Sequence, residues 1–342
     1  TFTKSIFMKM IKLLLVVFLS LFISHNQVKA QENTNSNLIT PPYLQKGDTI
    51  AIVAPAGILI DRQEVIDQAK ELVESWGLHV VYGEHLFDAA GHFSATDEER
   101  TEDFQKAIDN PNIKAIWSGR GGYGTVRILD RLDFTKFRES PKWIIGYSDI
   151  TALHSHLNTL GYETIHAMMG TSLGDDPEEI TATIKTFKKA IFGEQLSYSL
   201  VSTKENREGS AKGQLIGGNI SLLVSMLGSK SQMNAEDKIL FIEEVGEYKY
   251  SIDRMLQSLK RAGFFENCKG IIVGDISKIK TNTTEWGTSI EQLILDVVTE
   301  YDFPILFHFP AGHEPDNRAL IFGRMVEMNV TKKGISTLVF EK

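Results

Sequence analysis

The sequence lacks the features that would supply covalent cross-links or metal ligands. Its 342 residues include one cysteine, Cys268, so no disulfide can form within the chain. It contains no cysteine and histidine set with zinc spacing, no Walker-type phosphate loop and no calcium loop. These absences exclude a disulfide scaffold and favour a protein that uses neither a metal nor a cofactor and is stabilised by apolar burial.

Positive charge is also scarce. The chain has 36 lysines and arginines against 44 aspartates and glutamates, for a net charge of -8. No basic stripe could neutralise a phosphate backbone, so a nucleic-acid partner is excluded and a small ligand is expected. The composition, 42% hydrophobic and 23% charged, is that of a globular protein, and the length suits two domains better than one.

The first thirty residues are predicted to be an export signal, 1–30. Lys9 and Lys12 precede the apolar run LLLVVFLSLFI, which is too short to span a bilayer comfortably, and Ala30 offers a small residue at a cleavage site. The polar residues that follow are predicted to be a disordered lead-in, 31–40. We therefore expect an exported protein, periplasmic or extracellular, that is not embedded in a membrane.

From Gly47 onward, strand and helix patterns alternate. The strand TIAIVAPAG, the amphipathic helix DRQEVIDQAKELVESWG and the strand HVVYGEHL come first, and the alternation continues to WIIGYS. This order predicts a Rossmann-like α/β domain with a doubly wound parallel sheet over 41–195. A polar linker, 196–212, then leads to a smaller mixed α/β domain over 213–342 with a more antiparallel ending.

The stretch WIIGYSDITALH allows two interpretations of Ser148. Serine and aspartate are favoured N-caps, so Ser148 could simply begin the following helix. A nucleophile at a sharp strand-to-helix turn would need a small residue two positions earlier, which Gly146 supplies, and a backbone donor such as the N–H of Asp149. Ile150 replaces the second glycine of the usual hydrolase motif, so this stretch alone leaves both interpretations open.

The stretch GRGGYG, Gly119 to Gly124, matches the spacing of a dinucleotide-binding loop. It does not follow the first strand, however, and the expected acidic residue after the next strand is missing, so a nicotinamide or flavin site is disfavoured. The glycines could instead present bare N–H groups beside Ser148, because adjacent parallel strands end on the same side. Arg120 in this loop could bind a substrate carboxylate or form an ion pair.

A serine nucleophile needs a base, and the histidines differ in their suitability. His154 and His156 lie two positions apart on a predicted helix and cannot form an i, i+4 metal pair. His166 follows a strand and is a possible neighbour of the site, whereas His308 lies in an apolar stretch and is predicted to be a core residue. His313 follows Pro-Ala-Gly at a strand end, where a loop histidine can reach a cleft.

The orienting acid is sought at the end of the apolar strand KILFIEEV. Glu243 and Glu244 are adjacent, so their side chains point to opposite faces and only one can face a given cleft. Strand-end acids that simply meet water would produce the same pattern. The strand therefore supplies two candidates without distinguishing them.

Several stretches taken together resemble the LD-carboxypeptidase family of serine peptidases, which includes murein tetrapeptide carboxypeptidases and microcin C immunity hydrolases. They occur in the family's order and cover nearly all of the chain after residue 40. The matching segments are GDTIAIVAPAG, FSATDEERTEDFQKAI, IKAIWSGRGGYGTVRILDRLDF, WIIGYSDITALH, GQLIGGNISLL, ILFIEEVGEYKYSIDRML and FPAGHEPDN.

The resemblance implies a Ser–His–Glu triad at a site between two domains. Ser148 would be the nucleophile, His313 the general base and Glu243 its orienting carboxylate, with Glu244 as the alternative. The oxyanion hole would use the backbone N–H of Asp149 and that of Gly121 or Gly122.

The activity implied by the resemblance is cleavage of an L,D-peptide bond, which releases D-alanine from a muropeptide tetrapeptide. Family members commonly pair, so we expect a homodimer that acts on a muropeptide or another small peptide. The export signal departs from the family's usual cytoplasmic setting. Two alternatives are an immunity-type hydrolase of aminoacyl or peptidyl nucleotides and a periplasmic small-molecule binding protein without catalysis.

Overall fold

The computed structural model describes residues 38–342. The predicted export signal and residues 31–37 of the predicted lead-in lie outside this range. The remainder of the lead-in is ordered, because Ile39 donates its N–H to the carbonyl of Gly161 at 2.8 Å and accepts from the N–H of Glu163 at 3.0 Å. The prediction of disorder is therefore wrong for residues 38–40. None of the helices within residues 38–342 has the length and apolarity that a membrane crossing requires.

The strands and helices follow one another along the chain nearly as the alternation predicts. The strands are β1 Thr49–Val53, β2 His79–Tyr82, β3 Ile113–Ser118, β4 Trp143–Gly146, β5 Thr164–His166, β6 Ser197–Val201, β7 Gly209–Asn219, β8 Lys238–Val245, β9 Gly270–Ser277, β10 Ile305–Leu306, β11 Leu320–Phe322, β12 Met325–Val330 and β13 Ile335–Phe340. The helices are α1 Gln63–Glu74, α2 Asp97–Asp109, α3 Thr125–Leu129, α4 Thr135–Glu139, α5 Thr151–Thr159, α6 Thr181–Phe192, α7 Ile220–Ser225, α8 Lys249–Arg261 and α9 Ile290–Val297.

The first sheet has six strands in the order β11-β5-β4-β3-β1-β2. Strands β1 to β5 pair in parallel, and only β11 is antiparallel among the described strands of this sheet. Every residue of β4 is buried, as expected for a strand in the interior of a parallel sheet with both faces covered. The predicted α/β class with a parallel sheet is confirmed.

The second sheet has seven strands in the order β10-β9-β8-β7-β12-β13-β6. Strands β7 to β10 pair in parallel, while β12, β13 and β6 pair antiparallel, as the predicted mixed α/β part with an antiparallel ending requires. The predicted linker 196–212 is not simply a connection, because it contains β6 and the beginning of β7. Alternate residues of β6 are exposed, as at the edge of a sheet, and this explains its polar sequence.

Strand β11 returns the chain from the second sheet to the first. Its residues Leu320–Phe322 pair antiparallel with Thr164–His166 of β5, although they lie within the segment 213–342. The two sheets therefore do not correspond to two uninterrupted halves of the sequence.

Two glycines allow β7 to pack closely against its neighbours. A Cβ atom on Gly217 would overlap the carbonyl oxygen of Phe241 in β8, and one on Gly218 would overlap the side chain of Thr151 at the start of α5. Because α5 follows Ser148 and β8 carries Glu243, this close packing brings the two predicted site residues together.

Candidate active site

Ser148 occupies a strained turn between β4 and α5. Its φ angle is +61°, in the left-handed region that a residue other than glycine rarely adopts, and it begins a short 3₁₀ turn, Ser148–Ile150. A Cβ atom on Gly146 would lie 2.7 Å from Cγ1 of Ile150, so this turn requires glycine at position 146. Such conformations cost about 1–3 kcal/mol each and are concentrated at functional sites.

The hydroxyl of Ser148 does not cap the helix. The residues at the N-cap positions of the 3₁₀ turn and of α5, Tyr147 and Ile150, make no side-chain capping bond. The carboxylate of Asp149 instead accepts from the N–H of Thr125 at 2.8 Å, at the start of α3. Ser148 Oγ lies 2.9 Å from Nε2 of His313. This hydroxyl is therefore available for chemistry.

The second sheet and the loop after residue 310 supply the other two predicted residues. His313 Nδ1 lies 2.6 Å from Oε2 of Glu243, which is fully buried, and the His313 side chain is 15% exposed. Hydroxyl, imidazole and carboxylate thus form a hydrogen-bonded series, Ser148–His313–Glu243. An imidazole held in this way can accept a proton at one nitrogen while the carboxylate fixes the other.

The charges around His313 favour the protonated form of its imidazole. Burial opposes the charge of His313, but the negative charge of Glu243 and its hydrogen bond outweigh this effect, so the pKa of His313 is raised above 6.5. The ring of Tyr147 packs edge-on against the imidazole, with 5.1 Å between the ring centroids. Burial raises the pKa of the Tyr147 hydroxyl to about 12, so it stays neutral.

Glu244 points away from His313 and is fully engaged elsewhere. Its carboxylate accepts from Asn219 Nδ2 at 2.9 Å, from the N–H and hydroxyl of Ser221 at 2.9 and 2.6 Å, and from the N–H of Val245 at 2.9 Å. Burial raises the pKa of Glu244. Of the two adjacent acids, the structure places Glu243, and not Glu244, on the histidine.

The glycine-rich loop after β3 lies directly against Ser148. A Cβ atom on Gly121 would lie 3.2 Å from Cβ and 3.4 Å from Oγ of Ser148, and the carbonyl of Gly121 accepts from the N–H of Gly57 at 2.9 Å. Gly122 has φ +106°, and its N–H has no hydrogen-bond partner within residues 38–342. The predicted neighbourhood of loop and serine is present, and a free backbone donor lies within it.

Arg120 of the same loop donates from Nη1 to the carbonyl of Ile58 at 2.6 Å. Burial lowers the pKa of its guanidinium, with a smaller effect from the charge of Arg62. One guanidinium nitrogen is thus used to hold the loop, and neither of the two predicted roles is decided by this contact.

The other histidines lie outside the hydrogen-bonded series. His154 Nε2 contacts the carbonyl of Gly146 at 2.9 Å, and His156 Nδ1 contacts Oγ of Ser231 at 2.8 Å. His166 is fully buried, which lowers its pKa well below 6.5, and its ring centroid lies 5.9 Å from that of Tyr147. It is thus a neighbour of the site that makes no hydrogen bond to Ser148 or Glu243.

The prediction that His308 is a core residue is wrong. Its side chain is 53% exposed and its Nε2 lies 3.7 Å from Glu291. Strand β10 ends at Leu306, two residues earlier, and His308 has φ +58°, so the chain has already turned outward.

Asp275 is a site residue that the sequence analysis missed. Its N–H donates to the carbonyl of Ala311 at 2.9 Å, and its carboxylate accepts from the N–H of Glu314 at 3.2 Å. Asp275 therefore binds the loop that carries His313 on both sides of that residue in the sequence. Burial, together with the charges of Glu314 and Glu243, raises the pKa of Asp275 to about 7. The available signal was its position near the carboxyl end of an apolar strand, GIIVGDI.

One group of described residues has potential metal ligands in proximity. Ligand atoms of His85, Asp88 and Glu99 lie within 4.8 Å of one another. His85 Nδ1 already contacts Asp88 at 2.7 Å, and Glu99 accepts from the N–H of Thr96 at 2.9 Å to complete the N-terminal cap of α2. These side chains already have hydrogen-bond partners and are not among the residues of the Ser148 site.

The parallel sheet, the strained serine and the hydrogen-bonded histidine together are typical of the active site of a hydrolase. Family models agree with this class: the LD-carboxypeptidase N-terminal domain matches residues 50–167 and the LD-carboxypeptidase C-terminal domain matches residues 212–328. The chain belongs to the LD-carboxypeptidase family and is accordingly a peptidase, as the resemblance predicts.

Individual relatives cover most of the chain. A probable murein peptide carboxypeptidase of Bacillus subtilis is 36% identical over 300 residues, which covers 86% of this chain and 92% of that protein. The crystal structure of muramoyltetrapeptide carboxypeptidase from Oxalobacter formigenes has a TM-score of 0.77 and 27% identity, and covers 86% of this chain and 99% of that one. The microcin C7 self immunity protein MccF, in complex with aspartyl sulfamoyl adenosine, has a TM-score of 0.80 at 23% identity, over 89% and 99% of the two chains. At this identity the last likeness shows the fold alone.

Proposed function

We propose that the protein is an exported, metal-independent serine carboxypeptidase that releases D-alanine from muropeptide tetrapeptides by cleaving an L,D-peptide bond. The observation that carries the proposal is the hydrogen-bonded series from Ser148 through His313 to Glu243. The murein peptide named in the relative from Bacillus subtilis supports the substrate class.

In the proposed reaction, Ser148 Oγ attacks the carbonyl carbon of the third residue of the peptide while Nε2 of His313 accepts the hydroxyl proton. Glu243 holds Nδ1 and stabilises the imidazolium that forms. The tetrahedral intermediate collapses with rupture of the C–N bond, and His313 returns the proton to the amine of the leaving D-alanine. Water, deprotonated by His313, then hydrolyses the ester and restores the serine.

The negative charge on the tetrahedral oxygen needs donors that are already in position. The free N–H of Gly122 and that of Asp149 are our candidates, with Gly121 as the alternative from the same loop. The glycine loop contacts Ser148 from one side and the helical turn begins on the other, so donors from both could converge on one oxygen. A lost donor of this kind typically reduces kcat by about 10²–10³-fold.

Mass spectrometry of the purified protein with a tetrapeptide muropeptide tests the proposal. The expected products are the tripeptide muropeptide and free D-alanine, formed without added metal and in the presence of a chelator. Tetrapeptide that remains intact under these conditions would contradict it. A substrate whose terminal residue is L-alanine is the matched control and should be cleaved far more slowly.

A second candidate is hydrolysis of aminoacyl or peptidyl nucleotides. MccF, which was determined with aspartyl sulfamoyl adenosine bound, has the same fold, so this fold can accommodate such a ligand. The same assay with an aminoacyl nucleotide distinguishes the two, because only one substrate should lose its amino acid. Binding of either compound without turnover would instead favour the third possibility, a periplasmic binding protein.

The proposal includes export and pairing. Export rests on the basic and apolar pattern of residues 1–30, and cell fractionation followed by N-terminal sequencing should find a mature chain that begins near Gln31 outside the cytoplasm. Pairing to a homodimer rests on the family resemblance, and light scattering during gel filtration should give twice the mass of one chain.

A further inference from the structure

The residue that follows the proposed nucleophile has a buried side chain to which the proposed reaction gives no role. Asp149 is fully buried, and its carboxylate accepts from the N–H of Thr125 at 2.8 Å. Thr125 begins α3, directly after the glycine-rich loop Gly119–Gly124. The side chain of Asp149 therefore connects the turn that carries Ser148 to the end of this loop.

A second buried side chain holds the same end of the loop. Gly124, the last residue of the loop, has φ +144°, and its carbonyl accepts from Nη1 of Arg100 at 3.1 Å. Arg100 is almost fully buried and also donates to the carbonyl of Pro55. A Cβ atom on Gly124 would lie 2.8 Å from Nη1 of Arg100, so the backbone packs directly against the guanidinium. The end of the loop is thus fixed between Arg100 and Asp149.

The beginning of the loop is held by the first sheet. The N–H of Gly119 donates to the carbonyl of Val53, the last residue of β1, at 2.8 Å. Between the two fixed ends, the loop contacts Ser148, and the N–H of Gly122 has no partner within residues 38–342. The position of this N–H relative to Ser148 therefore depends on both ends of the loop, and Asp149 fixes one of them.

We propose that Asp149 is a positioning residue, whose carboxylate ties the turn of Ser148 to the glycine-rich loop and so sets the separation of the two oxyanion donors. One donor is the N–H of Asp149 itself, and the other is the N–H of Gly122 in the loop that the carboxylate holds. Such donors stabilise a developing negative charge only when they are already in place, and a shift of about 1 Å can cost 10²-fold in rate. The inference rests on the proposed function, because it assumes that Ser148 attacks a carbonyl carbon.

Steady-state kinetics with the tetrapeptide muropeptide provide the first test. Asp149→Ala leaves the N–H of Thr125 without its acceptor and releases the end of the loop. We expect kcat to fall by about 10²-fold while KM changes by less than about twofold. Gly124→Ala displaces the same end of the loop from Arg100 with Asp149 intact, and should give the same pattern. Native kcat in either variant, with the fold verified by circular dichroism, would overturn the inference.

Two further variants distinguish positioning from a general loss of stability. Asp149→Asn keeps one oxygen for the N–H of Thr125 and should restore kcat to within about threefold of the native value. Asp103→Ala is the matched control, because Asp103 is also a buried acid that accepts from backbone N–H groups, at 3.0 Å from Glu84 and 2.8 Å from His85. It holds the loop after β2, so its loss should lower the urea midpoint and leave kcat unchanged. An asparagine variant as slow as Asp149→Ala, or an equal loss of kcat in Asp103→Ala, would overturn the inference.

A second measurement separates this inference from the proposed function, because it needs no peptide. With an alkyl fluorophosphonate, Ser148 Oγ displaces fluoride from phosphorus, His313 accepts the hydroxyl proton, and the phosphoryl oxygen takes the place of the tetrahedral oxygen. The rate of labelling, followed by mass spectrometry of the intact protein, should fall by about 10²-fold in Asp149→Ala and should not change in Asp103→Ala. This result would support the inference even if no tetrapeptide is hydrolysed. Equal labelling of Asp149→Ala and the native chain, or no labelling of the native chain, would overturn it even if D-alanine is released.

Discussion

The two halves of the candidate site depend on different physical features, one on backbone conformation and the other on ionisable side chains. The half on the first sheet is made by the backbone: Ser148 is held at positive φ, and Gly121 brings bare main chain against it. The half on the second sheet is made by buried charge, with Glu243 on His313 and Asp275 beside the same loop. The comparison indicates that substitutions in the first half should change geometry, while those in the second should change protonation.

Removal of the hydroxyl in the first half should have the largest effect. We expect Ser148→Ala to lower the rate of D-alanine release by at least about 10³-fold, because the proposed acyl-enzyme ester on Ser148 Oγ could not form. The measurement is product formation by mass spectrometry, with circular dichroism to verify the fold. Ser258→Ala on α8 is the control and should retain full activity. Full activity of Ser148→Ala would show that Ser148 is not the nucleophile.

Neutralising the acid in the second half should have the next largest effect. Glu243→Gln preserves the shape but removes the charge that orients and stabilises the protonated His313, so we expect kcat to fall by about 10²–10³-fold. Glu244→Gln is the matched control. It should lower the free energy of unfolding by about 1–3 kcal/mol, because Ser221 and Asn219 lose a charged partner, with a smaller effect on kcat. A larger kcat loss in Glu244→Gln would reverse the assignment of the two acids.

The pH dependence should arise in the second half. His313 acts as a base only when neutral, and its pKa is raised above 6.5, so kcat/KM should increase with pH through that raised value. The pKa of Asp275 is about 7, so its carboxyl is charged only toward the upper part of the acidic limb, and its charge there favours the imidazolium. Asp275→Asn removes this charge and should move the acidic limb to lower pH by less than about one unit. The control Asp130→Asn changes an exposed acid that forms an ion pair with Lys230, and should not move the limb. If the acidic limb of the pH profile is unchanged in Asp275→Asn, Asp275 does not influence the protonation of His313.

Backbone strain in the first half predicts the smallest effect. Glycine tolerates the φ of +61° at position 148 and alanine does not, so Ser148→Gly should exceed Ser148→Ala in free energy of unfolding by about 1 kcal/mol. Urea denaturation measures the difference. At Ser258 in the interior of α8, the order of the glycine and alanine variants should be the opposite, by about 1 kcal/mol. The same order at both positions would argue against strain at Ser148.

Local patterns in the sequence predict much of the fold. Apolar strands and amphipathic helices alternate up to β5, so the parallel sheet follows from periodicity alone. The pairing of β11 with β5 does not, because three apolar residues carry no information about which sheet edge they will join. The same limit explains β6, which has the polar sequence of a linker but forms a sheet edge.

The site was predictable where a residue type is rare in its context, and less so where tertiary contacts decide. Ser148 and His313 each lie near a strand end and close to a glycine, and this pattern can be recognised in the sequence. The choice between Glu243 and Glu244 depended on which face of β8 meets the loop that carries His313. Asp275 was missed because an acid near a strand end is common, and its grip on that loop exists only in the folded chain.

The late position of β11 has a consequence for synthesis on the ribosome. Residues 41–195 emerge long before Leu320–Phe322, so the outer edge of β5 must wait for most of the polypeptide before it gains its partner. His313 emerges only a few residues before this strand. If His313 is the base, as we propose, the nascent chain gains activity only when β11 is about to be added to the first sheet. A ribosome-bound chain that stops at residue 310 should then be inert and have an unpaired edge on β5.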